Sequence, residues 1–394
     1  MKRLFIEPLD VLMFRSERPF IAKESHVAKL GMISPLTFEG AIKSKIFLEF
    51  CKRKNYLSSE FQRKRNEDNN SFKERIKEMI ENDKELKEIL EAIGHPAVNP
   101  ESSIQVLGVF FSKRNKKEEF FSVPNDIVRK DDKDDDILKL TPIWKKEELK
   151  IPNTENYVCF STHSKIKQKK GLMSFNALKD YLWGRKPDKS QIIDNPYTTE
   201  LRTGIRLEKG TKTTVEGHLY TAEFLRLEEN WGFIVWIEDS YGFLGKHLNR
   251  NGIIRLGGEG KGATYTKIDE INLADKLRFS ELIEKINKEE KFKLYLASPS
   301  YFNGYEPPRD RLKKELGVKE LKLRAALVGK PIYIGGYDFA MNMEKPLRRW
   351  VNAGAVYYYE FGGEIKSDSI PLIKIIDENI DMRCAFIGRW GEDV

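Results

Sequence analysis

The chain has 394 residues and a formal net charge of +8, because its 69 Lys and Arg residues outnumber its 61 Asp and Glu residues. At roughly 150 residues per domain, this length predicts two or three domains and excludes a disulfide-framed miniprotein. The positive balance favours a polyanionic partner. Cys51, Cys159 and Cys384 lie far apart, which excludes a zinc ribbon and is typical of a reducing cytosol. No apolar run approaches the 18 or so residues of a membrane helix, so we expect a soluble cytoplasmic protein.

The first predicted elements are a strand and a helix. Residues 3–9 have a strand pattern that Pro8 closes. Ser34 is a good N-cap, and Pro35 fits the first helical position. Apolar residues then recur every four positions and predict one buried helix face, formed by Phe38, Ile42, Ile46 and Phe50.

Residues 52–92 carry many charges of both signs and are interpreted as an insertion. From Ser71 to Ile93 the apolar residues keep helical spacing, and Gly94 ends the pattern. We interpret this stretch as an amphipathic helix packed on its own domain; docking of a partner on its narrow apolar stripe is the alternative. The aspartates within residues 131–136 are interpreted as a solvated loop in preference to a Mg²⁺ site.

Strands and helices alternate in the second half of the chain. Residues 219–227 and 231–237 are predicted strands, and the second is apolar on both faces, as in a central strand. A helix is predicted over residues 275–290. The elements predicted after it are a strand at 292–297, a short helix ending at Gly317, and strand-like runs at 320–328, 331–335, 354–361 and 383–389. Two blocks of mixed elements predict an α+β protein with a domain boundary near 270–290.

The most specific local motif is the glycine run at residues 257–262. Four glycines in six residues let the backbone approach a ligand, neighbouring N–H groups can hold phosphate oxygens, and Lys261 adds charge. A tight structural turn is the alternative. The run is not a nucleotide-binding phosphate loop, since Gly262 stands where that motif has Ser or Thr. The five histidines are dispersed, and we expect no metal site and no cofactor.

Positive charge concentrates in residues 165–212, which hold 12 basic and 5 acidic residues. Arg202, Arg206 and Lys209 lie there on glycine-punctuated segments that suit a phosphate backbone, and a solvated basic surface is the alternative. Earlier in the chain, residues 14–20 alternate cations with aromatic residues. This pattern is typical of stacking on unpaired bases, but its aromatic residues equally suit a core.

These motifs occur together, and their order along the chain resembles that of a known family. Residues 4–15, 18–20 and 26–28 resemble the start of subunit three of the Cmr complex, the type III-B CRISPR RNA-guided effector; this subunit belongs to the RAMP superfamily. Later stretches resemble the same family, at residues 202–206, 216–226, 255–261, 335–338 and 353–357. Residues 52–100 and 113–160 match nothing in it and are interpreted as charged, partly helical insertions.

The resemblance implies two ferredoxin-like (RRM-related) domains, over residues 1–270 and 271–394, with the glycine-rich loop late in the first. It implies a non-catalytic subunit that binds the repeat-derived 5′ tag of the guide RNA. It also implies that this subunit bridges the large polymerase/cyclase-like subunit to the helical backbone subunits. The residues expected to face the RNA are Arg15, Arg18, His26, Arg202, Arg206, Lys209, Gly257, Gly258, Gly260 and Lys261.

Two other functions stay open. Some RAMP relatives are metal-independent endoribonucleases that mature CRISPR RNA, and His26 would then be the candidate general base, although no second acid–base residue is evident beside it. The third hypothesis is a protein–protein adaptor whose neighbours hold all of the RNA.

Overall fold

The computed structural model describes residues 1–14, 27–130, 137–144, 157–160, 165–208, 210–211, 213–366 and 371–391. Those residues form eight α-helices, which are α1 (Pro35–Lys54), α2 (Asn69–Glu81), α3 (Lys84–Ile93), α4 (Phe175–Leu182), α5 (Phe243–His247), α6 (Leu273–Leu277), α7 (Phe279–Glu289) and α8 (Arg309–Leu316). Short 3₁₀ turns lie at Ser58–Phe61 and Lys189–Gln191. None of these helices is long and apolar enough to cross a membrane.

The same residues form 24 strands. In chain order they are β1 (Lys2–Pro8), β2 (Val27–Ala28), β3 (Ile104–Lys113), β4 (Phe120–Ser122), β5 (Ile127–Lys130), β6 (Ile137–Lys139), β7 (Thr141–Trp144), β8 (Tyr157–Phe160), β9 (Ile166–Gln168), β10 (Leu172–Ser174), β11 (Ile192–Ile193), β12 (Tyr197–Leu207), β13 (Thr214–Leu227), β14 (Trp231–Asp239), β15 (Asn251–Arg255), β16 (Gly262–Ile268), β17 (Lys291–Leu296), β18 (Tyr301–Phe302), β19 (Glu320–Leu327), β20 (Ile332–Asp338), β21 (Met343–Trp350), β22 (Val356–Gly362), β23 (Leu372–Ile376) and β24 (Ile380–Gly388).

Helix α1 forms as the sequence predicts. The Ser34 side-chain oxygen accepts a hydrogen bond from the Leu36 backbone N–H at 3.3 Å, and Pro35 occupies the first turn. The helix ends where Asn55 takes a left-handed conformation, with a φ of 59°. All four residues of the predicted apolar stripe are buried, which confirms the predicted helix face.

Residues 69–93 form two helices where the sequence predicted one. Helix α2 ends at Glu81, and Asp83 then begins α3 by accepting a 3.0 Å hydrogen bond from the Glu85 backbone N–H. An aspartate cap offers the backbone a strong local start, which competes with a continuous helix. Gly94 ends α3 with a φ of 75°, as predicted. The apolar stripes of both helices join the core cluster beneath α1, which confirms packing on the chain itself.

An antiparallel eight-stranded sheet lies at the centre of the molecule, in the order β11-β10-β4-β3-β14-β1-β16-β15. Leu4 and Ile6 of β1 point to the face covered by α1, α2 and α3, whereas Phe5 points to the face covered by C-terminal strands. Because both faces are covered, all of residues 231–237 in β14 are buried. This confirms the central strand that the sequence predicted there.

The C-terminal part of the chain forms a second antiparallel sheet, in the order β18-β24-β17-β22-β19, with β23 paired to β24. One apolar cluster joins the two sheets and includes Trp236 from the first and Phe386 from the second, whose ring centres lie 6.3 Å apart. Helices mixed with antiparallel sheets confirm the α+β class. The division into two domains at 270/271 stays a prediction.

Four smaller groups of described strands belong to neither of these sheets, and two of them are the three-stranded group β6-β5-β9 and the pair β7-β8. Strands β12 and β13 form a long hairpin, to which β2 adds a short parallel strand. Although β14 follows β13 after a three-residue turn, the two strands lie in different sheets. Strands β20 and β21 form a two-stranded ribbon, and its tip contacts the first insertion, where the Arg63 N–H donates to the Ala340 carbonyl at 2.7 Å. The sequence did not predict β21 or β23.

Candidate nucleic-acid interface

The segment that follows β1 brings three of the sequence motifs together in space. Leu12 pairs with Leu225 of β13 through two backbone hydrogen bonds of 2.8 and 2.9 Å. The next residue, Met13, accepts a 2.8 Å hydrogen bond from the backbone N–H of Gly258. The N-terminal segment, the β12–β13 hairpin and the glycine loop therefore lie side by side, although they are far apart in the sequence.

Two of the predicted RNA-facing glycines contact Met13, and one of them has to be glycine. A Cβ atom at Gly257 would lie 2.3 Å from the Met13 carbonyl oxygen, and the φ of Gly257 is +77°. Only glycine tolerates both this short contact with the backbone and the positive φ. Gly258 packs against the Met13 side chain, where a Cβ atom would lie 3.4 Å from the sulfur. Gly257 thus has a structural reason that does not require RNA, whereas a Cβ atom at Gly258 would make an ordinary contact.

The remaining residues of the loop form the turn of the β15–β16 hairpin. Glu259 and Gly260 have φ values of 57° and 61°, and the Lys261 N–H donates to the Gly258 carbonyl at 3.4 Å. Positive φ at both central residues is the signature of a type I′ turn. Among the residues that the structure describes, the N–H groups of Glu259 and Gly260 have no acceptor. The turn therefore presents two backbone donors to an external acceptor.

The Phe224 ring on β13 holds one cation from each of two motifs. The Arg202 guanidinium carbon lies 5.5 Å from the ring centre, and the Lys261 ammonium nitrogen lies 5.0 Å from it. Both distances are within the range of cation–π attraction. Because the ring is only 4% exposed, it positions the two cations and is not itself a stacking surface for a base.

Arg202 belongs to a network of four charged side chains, together with Arg226, Asp10 and Glu200. Arg202 binds Asp10 at 2.9 Å and Glu200 at 2.7 Å. Arg226 binds Asp10 at 3.1 Å, and it also binds Glu200. Burial raises the pKa of Asp10, but hydrogen bonds from both arginines outweigh this effect and lower it. Hydrogen bonds from Arg226 and Arg202 likewise lower the pKa of Glu200, so both carboxyls are ionised at neutral pH and offset the two arginines.

Lys261 differs from Arg202 in its electrostatic surroundings. The lysine is half-buried and contacts the Phe224 ring, and no carboxylate of the described residues forms an ion pair with it. Its positive charge is therefore not neutralised within this part of the chain. Of the two cations on Phe224, Lys261 is the better placed to attract a phosphate.

Several predicted site residues lie outside the described part of the chain, namely Arg15, Arg18, His26 and Lys209, together with the acidic run at 131–136. Arg206 lies on β12 at the bulge in its pairing with β13, and its side chain is not described. Arg202, Gly257, Gly258, Gly260 and Lys261 are the predicted residues that the structure brings to one place.

The described residues on both sides of residues 15–26 are attached beside this place. The Phe14 carbonyl accepts a 2.8 Å hydrogen bond from the Gly31 N–H, which joins the chain before this segment to the chain after it. The Leu30 N–H donates to the Glu223 carboxylate on β13 at 2.9 Å. The residues that flank this segment thus lie next to the strand that carries Phe224.

Sequence reasoning did not single out Asp10, Glu200, Phe224 or Arg226. Glu200 and Arg202 lie two positions apart on one strand, and Phe224 and Arg226 have the same spacing on its neighbour. Such spacing places both residues of each pair on one face of the hairpin. Alternation along two adjacent strands was the available signal, but it needs the strand register, which the sequence does not provide.

Comparison with known proteins identifies the family. Residues 4–380 match the sequence model of the CRISPR-associated protein family Cas_Cmr3. No curated protein matches the chain. Similar solved structures include a chain of the type III-B Cmr-beta complex bound to cognate target RNA, which is 17% identical over 90% of this chain and 86% of that chain, with a TM-score of 0.46. Another is a chain of the Csm3-Csm4 subcomplex of the type III-A CRISPR-Cas interference complex, which is 12% identical over 98% of this chain and 99% of that chain, with a TM-score of 0.39. Since the family match spans nearly its whole length, the chain belongs to the Cas_Cmr3 family of CRISPR-associated proteins, as the resemblance of its motifs indicated.

Proposed function

We propose that the chain is a non-catalytic subunit of a type III-B (Cmr) RNA-guided effector complex and that it holds the repeat-derived 5′ tag of the guide RNA. Membership of the Cas_Cmr3 family supports its place in such a complex. The convergence of Lys261 and Arg202 on Phe224, beside the outward donors of the glycine turn, is the observation that supports tag binding most directly.

The chemistry of this surface suits a single-stranded backbone. A phosphate beside Lys261 would receive its charge and hydrogen bonds from the N–H groups of Glu259 and Gly260. Arg202 would contribute less charge, because Asp10 and Glu200 offset it. Recognition of bases would fall to residues 15–26, since the residues that flank this segment lie at this surface and residues 14–20 alternate cations with aromatic residues.

The opposite face of β12 supports the proposed bridging role. Leu201 and Ile205 alternate with Arg202 along the strand, and they are 62% and 48% exposed. Exposed large aliphatic side chains beside a charged face are suited to a protein neighbour. We assign this patch to contact with the large subunit or a backbone subunit of the complex. Leu201→Asp should then reduce recovery of the chain in reconstituted complexes, whereas Leu57→Asp, at an equally exposed position on the insertion, should not.

We also propose that each half of the chain is ferredoxin-like. In the first half β1, α1, β3, β14, α5 and β16 follow along the chain, and their strands lie in the order β3-β14-β1-β16. In the second half β17, α8, β19, β22 and β24 lie in the order β24-β17-β22-β19. Both orders fit a βαββαβ unit whose first and third strands are central. Within the described residues of the second half, β23 stands where the unit would have its second helix.

Tag binding is tested by the salt dependence of affinity. The purified chain would be titrated with a single-stranded RNA of the tag sequence at several salt concentrations. Each phosphate contact on a single strand contributes about 0.7 to the slope of log affinity against log salt. Lys261→Ala should therefore weaken binding and lower this slope by about 0.7. Arg65→Ala removes the same charge from an exposed position on the insertion and should change neither; an equal effect of the two variants would contradict the proposal.

The non-catalytic part of the proposal has its own test. The chain would be incubated with repeat RNA in the presence of EDTA, and the RNA should remain intact. Cleavage at one position, abolished by a 2′-deoxy substitution there, would instead indicate a metal-independent endoribonuclease.

A further inference from the structure

The base of the β20–β21 ribbon carries a second group of cations and aromatic rings. The Arg349 guanidinium carbon lies 4.4 Å from the centre of the Tyr305 ring. Tyr333 is the residue directly opposite Arg349 in the ribbon, so both side chains are on one face. Tyr305 and Tyr333 are 52% and 43% exposed. An exposed arginine thus contacts one accessible tyrosine and lies opposite another in the ribbon.

Arg349 carries a charge that no described carboxylate neutralises. Nearby arginines on the same half are paired, Arg309 with Glu306 and Arg324 with Glu360. Among the described residues, Arg349 has the Tyr305 ring as its contact and no acidic partner. A guanidinium that stacks through its flat face keeps its N–H donors free at the edge. Those donors are available to a phosphate.

The surface beside Arg349 is concave. Gly304, Val328 and Pro331 line a shallow cleft together with Tyr305 and Arg349. Because Gly304 has no side chain and no heavy atom lies within 4 Å of its missing Cβ, the cleft is open on this side. The open side of the cleft therefore lies next to Tyr305, whose side chain is half exposed.

We propose that Tyr305, Tyr333 and Arg349 bind one unpaired nucleotide of single-stranded RNA, with the base against a tyrosine ring and the phosphate on the arginine. Stacking on tyrosine and a cation for the backbone is the combination that single-stranded RNA requires. An acidic peptide would use the arginine but leave both rings uncovered. This site lies on a different hairpin from the Lys261 surface, and it goes beyond the proposed binding of the tag.

A base-dependent binding assay tests the site. The full chain would be titrated with fluorescein-labelled decauridylate and with an abasic ribose–phosphate chain of the same length. Losing one base stack corresponds to a weakening of roughly tenfold. Tyr305→Ala should weaken decauridylate binding about tenfold and leave abasic binding unchanged, while Arg349→Ala should weaken both. Unchanged unfolding midpoints would show that both variants fold.

Matched controls separate the site from general surface effects. Tyr241 is 78% exposed on the other half of the chain, and Tyr241→Ala should not change binding of either chain. Arg65→Ala is the control for loss of charge. If Tyr305→Ala changes nothing, or weakens abasic binding as much as decauridylate binding, no base stacks there and the inference is wrong. Lys261→Ala tests the tag surface independently, so failure at one site is distinguishable from failure at the other.

The source of the nucleotide is settled in the assembled complex. 4-Thiouridine would be placed along the guide RNA in one preparation and along the target RNA in another. After irradiation, an adduct on the peptide with Tyr305 or the peptide with Tyr333 identifies the strand that supplies the base. Adducts on neither peptide from either RNA would overturn the proposal.

Discussion

Arg383, on the last strand of the chain, donates a hydrogen bond to the carboxylate of Glu39 on helix α1. The same guanidinium binds Asp381 through hydrogen bonds of 2.6 and 3.0 Å and the Val106 carbonyl at 2.9 Å. Only 6% of the Arg383 side chain and 12% of the Glu39 side chain are exposed. This buried pair joins the helical layer on the central sheet to the C-terminal sheet.

Removing the arginine should strongly destabilise the fold. Arg383→Met leaves Glu39 buried without its main partner, and breaking a buried pair in this way costs about 3–5 kcal/mol. Urea unfolding followed by tryptophan fluorescence measures the change in the free energy of unfolding. Arg53→Met is the matched control, because the Arg53 side chain is 55% exposed and pairs with Glu85 at the surface, where such pairs contribute little. Equal unfolding midpoints for both variants would contradict the role given to the buried pair.

The same pair predicts a dependence of stability on pH. Burial raises the pKa of Glu39, but attraction to Arg383 and Lys43 outweighs it and lowers the pKa from its ordinary 4.5 to about 2. Because the folded value is the lower one, the stabilisation is complete above about pH 4.5 and is lost as the pH falls toward 2. The difference in unfolding free energy between the native chain and Glu39→Gln should therefore shrink between pH 6 and pH 3. A difference that stays constant over this range would show that Glu39 does not titrate as described.

Two Gly→Ala substitutions, one in the glycine loop and one in helix α5, should change the free energy of unfolding in opposite directions. Gly257→Ala places a methyl group against the Met13 carbonyl at a positive φ, so it should lower the free energy of unfolding by about 1–3 kcal/mol and weaken RNA binding as the turn shifts. Gly245→Ala lies in helix α5 with no heavy atom near the added group. It should raise the free energy of unfolding by about 0.4–1 kcal/mol. Urea unfolding of the two variants measures both changes, and a tolerated Gly257→Ala would refute the close packing on Met13.

The ion network around Arg202 predicts a variant that binds RNA more tightly. Asp10→Asn removes a negative charge that offsets both Arg202 and Arg226, so more positive charge becomes available to phosphates. Affinity for the tag RNA should rise a few-fold at low salt, with a steeper dependence on salt. Asp269→Asn is the control, since it removes an equal charge at the end of β16 opposite the glycine turn. Equal affinities for the two variants would place the RNA away from this network.

The sequence predicted correctly those helices and strands that are determined by neighbouring residues, such as a helix cap or a continuous apolar run. Ser34 and Pro35 predicted the start of α1, and the doubly apolar run at 231–237 predicted a central strand. Strand β21 was missed because its sequence is mostly polar and contains Pro346. Seven of its eight residues are exposed, and the strand is held by its pairing with β20. The break between α2 and α3 was missed because helical spacing of apolar residues continues across the Asp83 cap.

The candidate site depends on contacts that no local pattern contains. Lys261 and Arg202 were each predicted from their own motif, but their meeting on Phe224 follows from the pairing of Leu12 with Leu225 and from the Gly258–Met13 hydrogen bond. The neutralisation of Arg202 by acidic neighbours likewise requires strand register. Sequence reasoning therefore named Lys261 and Arg202 but neither their meeting on Phe224 nor their relative electrostatic importance, and their contact with RNA stays a prediction.

Photocrosslinking in the assembled complex tests the central claim most directly. Guide RNAs carrying 4-thiouridine at successive positions of the 5′ tag would be assembled with all Cmr subunits, irradiated and mapped by mass spectrometry. We predict adducts on this chain, in the peptides that contain residues 15–26 and the glycine turn at 257–262. Adducts confined to other subunits would contradict tag binding and favour an adaptor that does not touch the RNA.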